Sequence, residues 1–144
     1  MLVAIDEAEK AGLRDEVPVG AAIYDHEHGH IVAKAGNNVR SLNDPTAHAE
    51  ILVIREACKK IGQSRLAFFS LYVTLEPCPM CCQAISFARL PKLVFGAYDT
   101  KGGGVEHGPK IFSHPTSHHY LEILGGIEEQ RCGELLTDFF NKKR

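Results

Sequence analysis

Apolar and polar positions fall into two kinds of pattern along this chain. Short runs rich in β-branched and aromatic residues predict strands at Val17–Asp25 (VPVGAAIYD), Ile31–Ala35 (IVAKA), Phe68–Leu75 (FFSLYVTL) and Leu93–Ala97 (LVFGA), with a last one at Tyr120–Leu124. Helical spacing predicts a short first helix over 4–12, ended near Gly12. A second opens at Pro45 or Thr46, carries Ile51, Ile54, Ala57, Cys58 and Ile61 on one stripe, and closes at Gly62. A third runs over 79–90, opened by Pro79 and stopped by Pro91, and an amphipathic helix spans 128–141. Between them lie a hairpin loop (HEHGH), a polar turn over Asn37–Asp44, and a Gly- and His-rich loop over 99–119, too long to be idle. The strand–helix–strand–helix–strand order in the middle implies a largely parallel sheet there. The expected class is α/β, a three-layer α/β/α sandwich with a five-stranded mixed sheet.

Composition narrows the setting. No repeat, linker or low-complexity tract interrupts residues 1–144, which therefore read as a single domain, and 44% hydrophobic with 24% charged residues is ordinary for a globular protein. No apolar run approaches the roughly 20 residues of a membrane span, so no membrane partner is expected. The N-terminus turns acidic at Asp6 and Glu7, unlike a signal peptide, and an odd count of five cysteines suits a reducing compartment. A cytoplasmic location follows. The net charge of −2 announces no polyanion, although Lys59, Lys60 and Arg65, and Lys142, Lys143 and Arg144, form local basic clusters. By themselves such clusters read as solvated helix ends.

The chemistry concentrates in EPCPMCCQ, residues 76–83. Pro79 at a first helical position makes Cys78 the N-cap and Cys81 the third helical residue, positions whose side chains meet. A strand followed by C-x-x-C at a helix start suits zinc and a thioredoxin-like redox pair equally. His48 and Glu50 in DPTAHAEI decide between them. An imidazole with two thiolates gives three zinc ligands and leaves a fourth position for water, the plan of a catalytic site. Glu50 then faces that water at the helix mouth. Singly, His48 is a core histidine and Glu50 a first-turn carboxylate; with the cysteine pair they make a site. Cys82, one position further round the helix, only packs. Cys58 and Cys132 read as small core residues, and His26, His28 and His30 as a solvated hairpin tip.

The H-x-E…P-C-x-x-C pattern resembles the zinc-dependent nucleoside and nucleobase deaminases, enzymes that commonly illustrate how a base is flipped out of its stack for chemistry. EVPVGAA, DPTAHAEI, LYVTLEPCPMC, VFGAYDTKGG and LLTDFFNKKR are similar to the bacterial tRNA-specific adenosine deaminases, a resemblance running from about Glu16 to Arg144. It implies a cytidine-deaminase-like fold and one zinc per subunit on His48, Cys78 and Cys81, with Glu50 as the catalytic proton shuttle. It also implies deamination of adenosine to inosine at the wobble position of a tRNA anticodon loop, by a homodimer. Asn37 would hydrogen-bond the base, and the backbone N–H of Ala49 would face the reacting side. Phe139 and Phe140 would offer an aromatic contact, one of them packing in the core, and Lys142, Lys143 and Arg144 would meet phosphates. Tyr98 and His118 stand where relatives often carry Arg and Asn. A deaminase of free guanine or cytosine is the alternative.

Overall fold

The computed structural model describes residues 1–144. Five strands, β1 (Gly20–Asp25), β2 (His30–Gly36), β3 (Phe69–Leu75), β4 (Lys92–Ala97) and β5 (Glu122–Leu124), form one sheet in the order β2-β1-β3-β4-β5. β1 is antiparallel to both β2 and β3, while β3–β4 and β4–β5 are parallel. Four strands thus point one way and β1 alone is reversed. The crossover from β2 to β3 steps over β1, so the expected run of parallel strands is present in direction but split by the hairpin partner. The helices are α1 (Leu2–Leu13), α2 (Val39–Leu42), α3 (Ala49–Ile61), α4 (Pro79–Phe87) and α5 (Glu129–Lys142), with a 3₁₀ turn at Ile111–Ser113.

Period-two burial sorts the strands onto two faces. Ala21 and Ile23, Leu71 and Val73, and Leu93 and Phe95 join Ala49, Val53 and Ala57 of α3 and Cys82 and Ile85 of α4 in the main core. The opposite face is covered by α1 and α5, with Ile5, Ala97 and Cys132 as a smaller cluster. This is the expected three-layer sandwich. α1 packs by backbone rather than by large side chains: Ala4, Ile5, Ala8 and Ala11 are buried, and a Cβ placed on Gly20 of β1 would lie 2.0 Å from the Ala4 carbonyl oxygen. Only glycine permits that approach.

Several boundaries differ from the expectations drawn from the sequence, β1 opening at Gly20 rather than Val17 among them, and three of the differences have an identifiable cause. α3 opens at Ala49, not at Pro45 or Thr46, because Asp44 Oδ1 accepts from the Thr46 N–H (2.8 Å) and hydroxyl (2.7 Å) and folds the preceding residues into a turn. α4 ends at Phe87, before Pro91 is reached, since Arg89 adopts a left-handed φ of 57°. The polar stretch at 37–44 contains the short α2, whose first N–H groups are capped from a distance: the buried Glu16 carboxylate accepts from Arg40 N–H (3.1 Å) and from Ser41 N–H (2.8 Å). A capping partner so far away in sequence leaves no local signal.

Candidate functional site

Two helix starts meet at the carboxyl ends of β2 and β3, the end of an α/β sheet where ligands gather. His48 is the N-cap of α3, with extended backbone at φ −71°, ψ 150°. Cys78 is the N-cap of α4, extended at φ −69°, ψ 167°, with Pro79 at the first helical position. The strand therefore delivers Cys78 directly, and one turn of helix brings Cys81 back beside it.

His48 Nδ1 lies 3.6 Å from Cys78 Sγ and 3.6 Å from Cys81 Sγ. The three donor atoms all fall within 4.8 Å of one another. Tetrahedral zinc, with Zn–S about 2.3 Å and Zn–N about 2.0–2.1 Å, holds a nitrogen and a sulfur about 3.6 Å apart. The donor set fits that ion in chemistry and in spacing. Cys81 is fully buried, while His48 and Cys78 are half-buried and line a cavity of about 520 Å³. One side of the triad is thus open to whatever enters.

Glu50 sits in the first turn of α3, 4% exposed, on the wall of the same cavity. Burial pushes its carboxyl up to about 7, against the pull of its own backbone N–H and of His48. That value suits a group that both takes and returns a proton near neutral pH. Cys78 moves the other way: the Cys81 thiol donates to it and His48 lies beside it, and together they outweigh burial and draw it down to about 4. Burial lifts Cys82 above the ordinary thiol range. Cys82 Sγ donates to the Pro77 carbonyl (3.4 Å), away from the triad, as packing alone would have it.

The remaining candidates divide. Asn37 lines the cavity, and its Oδ1 accepts the Ala49 N–H at 2.9 Å. Ala49 is fully buried, and its N–H is engaged by Asn37 in the cavity wall. Phe139, Phe140 and Lys143 line the rim, whereas Lys142 and Arg144 are exposed outside it. Neither phenylalanine packs in the core: Phe140 is 48% exposed and Phe139 half-buried, and α5 buries only Cys132 fully. Their rings meet edge-on at 5.4 Å, and Lys143 Nζ stands 4.8 Å from the Phe139 centroid. Lys143 also pairs with Asp15 (2.5 Å), which pairs in turn with Arg40. Asp15, Arg40, Glu76 and Asp99 are further polar residues of the wall, and no catalytic motif singles them out as site residues. The one available signal for Glu76 is its place in EPCPMC. Histidines 26, 28 and 30 are exposed at the hairpin, with His28 paired to Asp25 at 2.8 Å.

Residues 1–97 match the model of the cytidine and deoxycytidylate deaminase zinc-binding region. The chain belongs to that deaminase family. Among this family's members, the tRNA-specific adenosine deaminase of Agrobacterium fabrum is 53% identical over 144 residues, covering 100% of this chain and 93% of the relative. That of Bacillus subtilis is 44% identical over 144 residues, covering 100% and 88%. A solved structure from work on A-to-I editing by tRNA:A34 deaminases at the wobble position superposes with a TM-score of 0.91 at 53% identity, over 94% of this chain and 97% of that one. A guanine deaminase from Nitrosomonas europaea shares the fold, with a TM-score of 0.81 at 20% identity, over 94% of this chain and 80% of that one.

Proposed function

We propose that this deaminase converts adenosine to inosine at the wobble position of tRNA, with zinc held by His48, Cys78 and Cys81. The observation that carries the reading is one cavity holding a zinc-spaced donor triad, a buried carboxyl near neutrality and an aromatic, cationic rim. Full-length similarity to tRNA-specific adenosine deaminases supports the substrate. Water and adenosine give inosine and ammonia: the C6–N bond breaks and a C6–O bond forms. Bound zinc supplies the Lewis acidity that makes water an adequate nucleophile at neutral pH. Glu50 takes one proton from the attacking water and gives it to purine N1, then takes the second from the new C6 hydroxyl and gives it to the departing amine, so that inosine keeps N1–H and ammonia leaves. Asn37, fixed through Ala49, holds the base edge. Phe139 and Phe140 stack against a base splayed from the anticodon loop, while Lys142, Lys143 and Arg144 neutralise its phosphates.

Residues 1–97 carry the family match, and we read 1–144 as one domain that works as a cytoplasmic homodimer. Exposed Met80 and Phe87 on α4 (37% and 73%) offer apolar surface for a second copy. No helix is long and apolar enough to cross a membrane. The test is incubation with a tRNA bearing a wobble adenosine, and separately with free guanine and cytosine. Inosine and stoichiometric ammonia from the tRNA are expected. Ammonia from a free base and none from tRNA overturns the reading in favour of a nucleobase deaminase.

A further inference from the structure

The carboxylate of Glu76 has no exposed surface and no lysine or arginine partner, yet it lies one residue from Pro77 and two from Cys78. Its partners are all N–H groups of one loop. Oε1 accepts from the backbone of Val105 (3.2 Å), Glu106 (2.8 Å) and His107 (3.0 Å), and Oε2 from Asp99 N–H (3.0 Å). His107 Nδ1 lies 2.7 Å from the same Oε2. Five donors on one carboxylate gather residues 99–107 around it, in the way an anion organises a nest of amides.

That loop bears on the site directly. Gly104 N–H donates to the Pro77 carbonyl (2.8 Å), and a Cβ on Gly104 would fall 2.7 Å from the Pro79 nitrogen. A Cβ on Gly103 would fall 2.6 Å from the Glu76 carboxyl carbon. The two glycines lay the loop backbone against the start of α4, while Asp99 and Gly102 form cavity wall beside Glu76 and Cys78. Tyr98 closes the outer side, its ring 6.0 Å from that of His107.

We propose that Glu76 is a positioning residue for the reaction: its carboxylate holds the 99–107 loop as the wall that sets the incoming nucleotide in line with Glu50. The inference rests on the proposed tRNA adenosine deamination. Glu76 touches neither the reacting atoms nor the zinc donors and acts through the loop. A carboxylate is required because both oxygens accept; an amide would turn its NH₂ toward the Asp99 N–H or toward the backbone trio, leaving donors unpaired.

The experiment uses the zinc-loaded full chain, an anticodon stem-loop with wobble adenosine, and amide hydrogen exchange. Glu76→Gln is expected to keep one zinc per chain and to expose the amides of Asp99, Val105, Glu106 and His107 to exchange. Its single-turnover rate is expected to fall about tenfold to a hundredfold, the range in which a small misplacement of the substrate by a residue remote from the chemistry is felt, with stem-loop affinity nearly unchanged. His107→Ala, which removes one donor from a partly exposed position, is expected to give a smaller loss of the same kind. It decides the matter if Glu76→Gln does not fold. Unchanged exchange at the four amides, or a rate loss that only tracks lost zinc, overturns the proposal. So does an unaltered rate with the amides exposed. Inactivity of the unaltered protein on the stem-loop removes the tRNA reading and this inference together, whereas the other outcomes remove this inference alone.

Discussion

Glu50 and the cysteine pair make the sharpest statements about single residues. Glu50→Gln removes the proton carrier but neither the fold nor the donor triad. Ammonia release is expected to fall by about 10²–10⁴, the usual share of a general acid–base group, while metal analysis still finds one zinc per chain. Cys82→Ala is expected to keep stoichiometric zinc at a cost of about 1 kcal/mol in stability, read from urea unfolding. Cys81→Ala is expected to lose the metal. Adjacent sulfurs with opposite outcomes test the assignment because the two share burial and helix, and differ only in direction. The motif residues are legible in the sequence for a local reason: Pro79 dictates a helix start, and the start dictates which side chains meet. Asn37 is legible as a residue but not in its detail, since its bond to Ala49 joins segments that only the fold brings together.

At the scale of elements, strands and helices can be read where burial follows a clean period, and boundaries fail where a distant side chain intervenes. α2 exists through Glu16, and α4 stops at a residue whose left-handed backbone no pattern announces. The 99–119 loop is recognisable as functional from its length and glycines, but its organiser is a strand-end carboxylate outside it. The expectation that one of Phe139 and Phe140 packs in the core fails, because an amphipathic pattern marks which face of a helix is apolar and not how deeply that face is buried: of α5 only Cys132 is buried. α1 offers a test of element packing. Gly20→Ala places a methyl against the α1 backbone and is expected to cost about 1–3 kcal/mol or more, the range for overpacking, measured as a lowered urea midpoint. Zinc binding should persist, since α1 lies on the face away from α3 and α4.

Across the whole molecule, the buried carboxylates with depressed values, Glu16 and Glu76 with Asp25, shape the response to acid. Burial alone would raise Glu16 and Glu76, but hydrogen bonds from Ser41 and Arg40 to the first, and from His107, Asp99 and Glu106 to the second, hold both below the ordinary 4.5. A depressed folded value means the unfolded chain binds protons first as pH falls. The stability these groups contribute is complete above pH 4.5 and is lost as pH drops through their lower folded values. Urea midpoints are therefore expected to fall below pH 4.5, and Glu16→Gln is expected to flatten that fall.

The placing of the zinc donors on two helix starts has a consequence for how the chain matures. His48 precedes α3, and Cys78 and Cys81 open α4, so the three cannot converge until β3 has paired with β1 and both helices have docked. Metal capture is thus a late event, open only to chains that have completed their sheet. A half-folded chain offers the Cys78, Cys81 and Cys82 thiols without the His48 imidazole fixed beside them, a weaker zinc trap than the assembled triad. Tight zinc retention is then expected only of chains that have assembled the triad, and the ion in turn favours the assembled state by mass action.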